Sequence, residues 1–468
     1  MLDRLRALLG PPHVLTGQDA QPYALDWAGE DQGAPLAVLR PGSIAEVSAI
    51  LKLANDTRTP VVPVAGRTGL TGGTAAPGAL LLSLERMKAI REIRPAARVA
   101  IVEAGAVLAT VHEAVEAHDL IFPLFFGARG SAMIGGVLST NAGGSNVLRY
   151  GNARDLCLGL EAVLPTGEVV NLMSQLHKDN SGYNLKHLLI GAEGTLGVIT
   201  AATLRLFPRP RAYATAMVAV PDIGAALALL NRLNEETGRA VEAFEYMPRD
   251  YIAAHLNTFP EARAPFDDAY DVNILIEIGA TAPRDATPQA DGSLPCVSHL
   301  QEVLGDALER GGVLDAVVAQ NEAQRREMWA RREAAAEICR LHSPYVDNDI
   351  AVPLDRMQDM LAQIDAITAR FDPRARNLSV AHLGDGNLHF ALWPTTQDTA
   401  VHHAIHDAVE EAAIALGGSF SAEHGIGTLK KPAMAAHKDP AALSAMRAIK
   451  SALDPRGILN PGKVLPDP

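Results

Sequence analysis

The sequence is poor in the residues that build disulfide frameworks, membrane spans and surfaces for binding polyanions. Its cysteines, Cys157, Cys296 and Cys339, are far apart and match no metal-binding spacing, which excludes a disulfide scaffold and favours a reducing compartment. Lysine and arginine form no run and the formal net charge is -13, so nucleic acid is not an expected partner. No apolar stretch approaches the roughly 18–20 residues that a membrane span requires, so no transmembrane segment is expected.

The amino-terminal residues, MLDRLRALLG, contain charged side chains and no uninterrupted apolar segment. They predict a short amphipathic helix rather than a signal peptide. A cytoplasmic location is therefore expected, and peripheral attachment to a membrane stays open. Hydrophobic content of 48% and charged content of 20% are typical of a folded globular chain and not of a disordered one.

The chain of 468 residues is longer than one hydrophobic core usually supports, since cores stop growing near ~250–300 residues. In its first part, short apolar strands such as Pro60–Val64 alternate with glycine-rich turns and with short helices such as Ile44–Asn55. Pro208 and Pro210 then indicate an extended linker. The predicted fold class is α+β. The predicted domain ranges are 1–210, 211–420 and 421–468.

Beyond the linker, strands and helices alternate through irregular connections, which favours an antiparallel sheet backed by helices over a doubly wound parallel sheet. The residue pattern predicts one long charged helix at Glu322–Cys339, and composition predicts an exposed loop at Ala282–Pro295. The tail Leu453–Pro468 combines turn residues with single apolar anchors, so it is expected to dock against the rest of the protein.

Three glycine-rich clusters lie in the first domain: VPVAGRTGLTGGT, GARGSAMIGGVLSTNAGGSN and GAEGTLGVIT. Glycine lets backbone N–H groups approach closely and converge on an anion. Each cluster alone is better explained as tight turns of a β-rich domain, but three together favour a large phosphate-bearing ligand. The sequence lacks GxxxxGK[ST] and GxGxxG, which disfavours a P-loop nucleotidase and a Rossmann dinucleotide site.

A second signal combines histidines with a carboxylate. His382 and His389 flank an Asp-Gly pair in VAHLGDGNLHF, and a hairpin at that pair would bring them side by side. SAEHGIG adds Glu423 and His424. Two imidazoles and a carboxylate on separate short segments predict an open Zn²⁺ or Mn²⁺ site. The alternative is that the histidines are surface or core residues whose rings are hydrogen-bonded to backbone groups. HExxH is missing, which weakens a metalloprotease interpretation. A further set, His402, His403 and His406, is expected on a solvated helix face.

Three segments in combination, KDNSGYNLKHLLIGAEGTLGVIT, HLGDGNLHF and SAEHGIG, resemble flavoproteins of the vanillyl-alcohol-oxidase type, also called the PCMH type. Within that family the resemblance is to D-2-hydroxy-acid dehydrogenases, nearest to the D-2-hydroxyglutarate branch and next to the D-lactate branch. The resemblance covers almost the whole chain. It implies an FAD-binding domain of two α+β subdomains, a cap domain with an antiparallel sheet backed by helices, and a C-terminal segment that completes the active site.

The resemblance also implies which residues line the FAD: Val64, Gly66, Arg67, Thr68, Gly69, Leu70, Thr71, Gly72, Gly73, Gly130, Ser131, Gly135, Gly136, Thr140, Asn141, Gly143, Gly144, Glu193, Gly194, Gly197, Ile199 and Asn460. Relatives that attach flavin covalently carry a histidine in the first loop, where this chain has Gly66-Arg67. Non-covalent FAD is therefore expected.

By matching position, His382, His389 and Glu423 are implied as metal ligands. His424 is implied as the catalytic base, and Arg332 and Asn387 as substrate-binding residues. The implied reaction is oxidation of a D-2-hydroxy acid to the 2-oxo acid, with hydride transfer to flavin N5 and with Zn²⁺ or Mn²⁺ on the substrate oxygens.

Two positions depart from the hydroxyglutarate-type pattern. Asp347 stands where a lysine is usual, and Ala336 stands where a hydroxyl residue is often found. A carboxylate at 347 should disfavour a second carboxylate on the substrate by like-charge repulsion. The tail of the substrate therefore stays open.

Other functions and partners remain open at this point. One alternative is a metal-dependent hydrolase whose glycine loops are structural, and another is the flavin-bearing subunit of a larger oxidoreductase complex. The expected electron acceptor is an electron-transfer flavoprotein or a quinone. A homodimer is one of the assemblies that stay open.

Overall fold

A computed structural model describes residues 1–25 and 32–467, which divide into two compact units. Unit 1 consists of Met1–Gly143, Gly151–Pro208 and Glu423–Pro468. Unit 2 consists of Gly144–Tyr150 and Arg209–Ala422. The division after Pro208 falls inside the proline-rich linker. Residues 144–150 group with unit 2, although their composition does not distinguish them from the preceding glycine cluster.

The strands alternate with helices along both units. In chain order the strands are β1 Val14–Leu15, β2 Ala37–Leu39, β3 Val61–Val64, β4 Leu80–Ser83, β5 Ile90–Arg94, β6 Val99–Glu103, β7 Leu120–Ile121, β8 Cys157–Val163, β9 Val169–Leu172, β10 Val198–Arg205, β11 Phe207–Pro208, β12 Ala212–Val220, β13 Val241–Pro248, β14 Val272–Ala280, β15 Asp315–Val318, β16 Val346–Ala351, β17 Arg376–Asn377, β18 Val380–His382 and β19 Asn387–Trp393.

The α-helices have their own numbering. In chain order they are α1 Leu2–Leu9, α2 Ile44–Thr57, α3 Leu108–Glu116, α4 Ile134–Ser139, α5 Val147–Tyr150, α6 Lys186–Leu189, α7 Ile223–Glu236, α8 Arg249–Thr258, α9 Pro283–Ala286, α10 Pro295–Glu309, α11 Glu322–Glu333, α12 Ala335–Arg340, α13 Met357–Phe371, α14 Thr399–Ala415, α15 Lys431–His437 and α16 Pro440–Leu453.

Unit 1 contains two main sheets. One has the order β1-β2-β4-β3, in which β4 pairs in parallel with both β2 and β3, and α1 and α2 pack on it. The other is antiparallel with the order β5-β6-β10-β8-β9. The predicted helix at Ile44 begins there because the Ser43 side chain accepts a hydrogen bond from the Glu46 backbone, a standard N-cap.

The carboxyl-terminal tail docks on unit 1, as its turn residues and apolar anchors predict. Val61 of β3 donates its backbone N–H to Ile458 and accepts one from Asn460. Ile458 and Leu459 are buried in the core beneath β3. The tail therefore extends the edge of the first sheet in the parallel sense.

Unit 2 is built on an antiparallel sheet with the order β15-β12-β14-β13-β18-β19-β16, and β17 pairs beside β19. Side chains alternate between the two faces of each strand. One face buries an apolar core against α7, α10, α13 and α14. The opposite face is covered by α8, α11 and α12. This confirms the α+β class and the antiparallel sheet backed by helices.

Three local predictions were wrong. The helix predicted at Glu322–Cys339 is divided at Ala334, which adopts a flattened ψ of -4° between α11 and α12. The loop predicted at Ala282–Pro295 contains α9, and α10 starts at its last residue. His402 is buried, and its Nε2 lies 2.9 Å from the Thr396 carbonyl oxygen, because α14 turns that side chain towards the sheet.

Within residues 1–25 and 32–467, no helix combines the length and the apolar composition needed to cross a bilayer.

Candidate active site

The first glycine cluster forms the loop that follows β3. Val64 is buried at the end of the strand, and Gly66 packs so tightly that an added Cβ would lie 2.3 Å from the Ser131 carbonyl oxygen. Arg67 has a positive φ of 52°, and its guanidinium lies over the Tyr23 ring at 4.7 Å. This contact turns the Arg67 side chain towards Tyr23.

The same loop continues through Thr68, Gly69 and Leu70, which are partly or fully exposed. Thr71 is buried, and its hydroxyl donates to the His424 carbonyl oxygen at 3.3 Å. Its own carbonyl accepts the backbone N–H of Thr428. The glycine loop after β3 and the segment that carries His424 are thus hydrogen-bonded to each other inside unit 1.

The second cluster surrounds α4. Ser131 follows Gly130 at the end of a short 3₁₀ turn, and Gly135 packs against Ala104, which a Cβ would approach to 2.8 Å. Gly136 lies within the same helix, where its carbonyl accepts the hydroxyl of Thr140 at 3.1 Å. The bend at the end of this cluster begins at Asn141.

Asn141 has a positive φ of 53°, and its side-chain oxygen accepts the Arg154 backbone N–H at 2.9 Å. Gly143 is the last residue of the first segment of unit 1, and Gly144 begins the short segment that groups with unit 2.

The third cluster rests on the second, and Asn460 joins it to the first. Glu193 donates its backbone N–H to Ser139, and its carbonyl accepts the side-chain amide of Asn460 at 2.7 Å. The same amide donates to the Gly73 carbonyl at 3.1 Å. The structure therefore brings the first cluster, the second cluster up to Gly143, the third cluster and the predicted Asn460 together within unit 1.

Other members of these clusters have packing roles. An added Cβ would meet Thr428 at Gly72, Pro63 at Gly194 and Leu189 at Gly197. Ile199 is a buried residue of β10. At these positions the structure shows the tight turns and close packing of a β-rich domain.

A smaller group of glycines is open. Among the described residues, nothing lies within 4 Å of a Cβ built at Gly69, Gly127 or Gly130. Backbone at such positions is accessible to a bulky ligand, and its N–H groups can approach a phosphate closely. This arrangement fits the pyrophosphate-bearing cofactor that the sequence predicts.

The Glu193 side chain holds the segment that carries His424. Its carboxylate accepts the backbone N–H groups of Ile426 at 2.7 Å and Gly427 at 2.8 Å. Burial raises the pKa of this carboxyl, and these two hydrogen bonds oppose the rise. A Cβ on Gly425 would lie 2.9 Å from the same carboxylate, so only glycine fits there. Glu193 therefore positions the turn that follows Glu423 and His424.

Unit 2 carries a row of polar residues across one face of its sheet. The strand register pairs Glu245 with His382, His382 with Asn387, and Asp349 with His389. Paired residues lie on the same face, so all five side chains project on the side covered by α11 and α12. Met247 and Leu378, which belong to the apolar cluster on this face, are buried beside them.

The Asp-Gly hairpin brings the two histidines together as predicted. The ring centroids of His382 and His389 are 5.1 Å apart in an edge-to-face arrangement. His382 Nδ1 lies 2.8 Å from Glu245 Oε2, and His389 Nδ1 lies 3.6 Å from Asp349 Oδ1. With Nδ1 donating to a carboxylate, Nε2 of His382 carries the lone pair of the ring, a tautomer that is common among metal-binding histidines.

Glu245 also pairs with the predicted substrate-binding arginine. Arg332 Nε lies 2.8 Å from Glu245 Oε2, and both side chains are buried. Burial opposes ionisation of Glu245, but His382 and Arg332 outweigh it and hold the pKa of this carboxyl below its ordinary value. Among the described residues, the buried Nε and Nη2 of Arg332 have no hydrogen-bond partner, so Nε contacts Glu245 as an ion pair without hydrogen-bond geometry. An unpartnered guanidinium N–H at this depth fits a ligand carboxylate.

Asn387, the other predicted substrate-binding residue, is buried on the same face. Its amide donates to Asp349 Oδ1 at 2.9 Å and to the Ile350 carbonyl at 3.0 Å. These bonds leave its Oδ1 without a partner in the described part of the chain.

Sequence reasoning missed Glu245. A signal was present: Ala243 and Met247 occupy the same face of β13 as Glu245 and are apolar, so a single carboxylate in that series indicates a buried pairing. The identity of its partners could not be read from the sequence, because His382 is 137 residues away.

Comparison with known families places the chain among the flavin-dependent oxidoreductases. The FAD binding domain model matches residues 35–173, and the model of the C-terminal domain of FAD linked oxidases matches residues 209–464. The chain belongs to the FAD-linked oxidase family, uses FAD and is an enzyme.

Relatives of this chain share its full length. A D-2-hydroxyglutarate dehydrogenase of Xanthomonas citri is 36% identical over 95% of this chain and 92% of its own length. The mitochondrial D-2-hydroxyglutarate dehydrogenase of Bos taurus is also 36% identical, over 97% of this chain and 82% of its own length. Among solved structures, p-cresol methylhydroxylase superposes with a TM-score of 0.76 at 16% identity, over 99% of this chain and 95% of the other. That likeness confirms the PCMH-type fold.

Proposed function

We propose that this protein is an FAD- and divalent-metal-dependent dehydrogenase that oxidises a D-2-hydroxy acid to the 2-oxo acid. The observation that carries the proposal is the grouping of His382, His389 and the buried Arg332 on one face of the unit 2 sheet. The names of the full-length relatives support the class of substrate. The family match weighs against the hydrolase alternative, because a hydrolase has no use for FAD.

The metal, Zn²⁺ or Mn²⁺, would be held by His382, His389 and Glu423. Imidazole and carboxylate are ligand types that both metals accept.

When bound, the flavin accepts a hydride and the metal lowers the pKa of the substrate hydroxyl. The residues of the chain supply the remaining functions. His424 takes the hydroxyl proton, Arg332 binds the substrate carboxylate through its unpartnered Nη2, and Asn387 binds a substrate oxygen or hydroxyl. Glu193 and Thr71 keep the His424 segment in place.

The tail of the substrate would lie towards Asp347. This residue is exposed on the same face of β16 as Asp349, two positions away. Burial, with the nearby Asp347 carboxylate, raises the pKa of the Cys339 thiol to about 11, which places the Asp347 charge next to α12. A carboxylate there favours substrates with a neutral tail, such as D-lactate, over dicarboxylates.

Electrons would leave the reduced flavin to an electron-transfer flavoprotein or a quinone. If the protein is instead the flavin-bearing subunit of a larger complex, its flavin would be reduced by substrate but not reoxidised by artificial acceptors.

Stopped-flow reduction of the flavin across a panel of D- and L-2-hydroxy acids tests the proposal. D acids should bleach the flavin absorbance and L acids should not. Chelation should abolish bleaching and Zn²⁺ or Mn²⁺ should restore it. A metal-replete protein that no D-2-hydroxy acid bleaches would disprove the assigned activity.

The His424→Ala variant is the control for the base. General base catalysis contributes about 10²–10⁴-fold, so reduction should slow by that order while FAD stays bound. An unchanged rate would remove His424 from this role.

A further inference from the structure

We infer that Glu245 is a positioning residue that couples the metal site to the substrate-binding arginine, so that one buried carboxylate orients both His382 and Arg332. The inference rests on the proposed function, because it takes His382 as a metal ligand and Arg332 as the carboxylate anchor. All three residues belong to unit 2.

The first contact sets the orientation of His382. Its Nδ1 lies 2.9 Å from Oε1 and 2.8 Å from Oε2 of Glu245, so the protonated nitrogen faces the carboxylate. In this tautomer Nε2 carries the lone pair of the ring, so Nε2 is the atom that would bind a cation. A carboxylate bonded to a metal-binding histidine fixes its tautomer and raises the basicity of the ligand atom.

The second contact sets the orientation of Arg332. Its Nε lies 2.8 Å from the same Oε2 atom, and the two side chains are only 10% and 1% exposed. Because the guanidinium is planar, holding Nε fixes the direction in which Nη1 and Nη2 point. The buried Nη2, which has no partner in the described part of the chain, is thereby presented to a carboxylate.

The two contacts share one carboxylate, and this sharing makes the coupling specific. Oε1 of Glu245 accepts the hydrogen bond from His382 Nδ1, and Oε2 lies 2.8 Å from Arg332 Nε. A change that moves or neutralises this carboxylate releases both groups at once. A purely structural carboxylate would stabilise the sheet without controlling either site.

The chain contains a matched comparator in Glu277. It lies on the same face of the neighbouring strand β14, is 4% exposed, and pairs with Arg325, which precedes Arg332 by seven residues on α11. Its carboxylate also accepts a hydrogen bond from Trp329. Glu277 therefore reproduces the buried arginine–carboxylate pair between α11 and the sheet, but none of its bonds goes to a histidine.

The experiment compares Glu245→Gln with Glu277→Gln in the FAD-loaded, metal-stripped full-length protein. Co²⁺, whose visible absorption reports its binding directly, is titrated into each. Loss of a carboxylate behind a ligand histidine typically weakens metal binding 10–100-fold, so that fall is expected for Glu245→Gln. Glu277→Gln should stay within about twofold of the wild type. Thermal unfolding of both variants shows whether their stabilities fall alike.

A second measurement examines the arginine. With saturating metal, the KM for the D-2-hydroxy acid that reduces the flavin fastest should rise at least tenfold in Glu245→Gln and stay near the wild-type value in Glu277→Gln. Glu245→Asp keeps the charge but withdraws the carboxylate by one methylene. It should bind Co²⁺ several-fold more weakly and substitutes for the glutamine variant if that does not fold.

The outcomes separate this inference from the proposed function. Wild-type protein that binds no Co²⁺ would overturn the metal assignment and this inference with it. Wild-type binding with equal affinities in the Glu245 and Glu277 variants would overturn the inference alone. A rise in KM without loss of Co²⁺ affinity would also overturn it, because the shared control of both groups would be absent.

Discussion

At the residue scale, the chemistry of unit 2 depends on charges held inside a sheet face. Glu245 and Asp349 are almost fully buried, and each is compensated by polar neighbours rather than by water. Burial, aided by Glu245 and opposed by His382, raises the pKa of Asp385 to about 6. Removing one partner of such a carboxylate would leave a buried charge uncompensated, which strongly destabilises the fold.

Asp347 is the residue from which we predict substrate selectivity. Replacing it with lysine should raise kcat/KM for D-2-hydroxyglutarate relative to D-lactate by about tenfold or more. The reason is that one pair of unit charges ~4 Å apart in water interacts by ~1 kcal/mol, so reversing the charge changes the interaction with a second carboxylate by ~2 kcal/mol, and 1.4 kcal/mol is tenfold. Steady-state kinetics with both acids measure the ratio.

Asp347→Asn is the matched control and should give an intermediate ratio. If lysine leaves the ratio unchanged, the substrate tail does not lie near position 347.

At the element scale, the glycine loop after β3 combines two different demands on one short segment. Gly66 is needed because the loop packs against the backbone at Ser131. Gly69 instead faces open space among the described residues, although it is only three positions away. The loop therefore has one end that belongs to the core and one that is free to meet a cofactor.

Gly66→Ala and Gly69→Ala should therefore affect different properties. The first should lower the stability of the protein, and the second should weaken its binding of FAD. Overpacking costs roughly 1–3 kcal/mol, so Gly66→Ala should lower the free energy of unfolding of the apoprotein by that amount. Gly69→Ala should leave it within about 0.5 kcal/mol, as for an exposed substitution, but should weaken FAD binding. Chemical denaturation and FAD titration measure the two effects.

A Gly69→Ala protein that binds FAD as tightly as the wild type would show that the cofactor does not approach this end of the loop.

At the scale of the whole molecule, the chain crosses between its two units more than once. Unit 1 is assembled from three segments, and its tail returns to β3 and to the glycine clusters through Asn460. Lys450 supports this return, because its ammonium group donates to the carbonyls of Thr195 and Leu459. Unit 1 is complete only when both ends of the polypeptide are present.

The cofactor of the whole protein should be released on unfolding. Arg67 stands in the first loop, and its guanidinium lies over the Tyr23 ring at 4.7 Å. A protonated guanidinium is not a nucleophile at neutral pH, so it should form no covalent link to flavin. Acid precipitation should leave the yellow colour in the supernatant, as absorbance of the two fractions shows. Colour that stays in the pellet would contradict non-covalent binding.

Much of the fold was predictable from local pattern. The helix beginning at Ile44 follows from apolar residues at helical spacing, and the strand ending at Val64 follows from an apolar run bounded by turns. The hairpin between His382 and His389 follows from Asp-Gly. The break at Ala334 and the burial of His402 did not follow, because tertiary packing overrides helical periodicity at both places.

The sequence by itself determined the α+β class, the glycine loops and the adjacency of the two histidines, because these depend on residues close together in the chain. Only the tertiary structure decided that Glu245 lies behind both His382 and Arg332, and that Glu193 holds the turn after His424. The physical reason is that a buried charge selects its partners through tertiary contacts and desolvation, at sequence separations of 87 to 233 residues that no local pattern encodes.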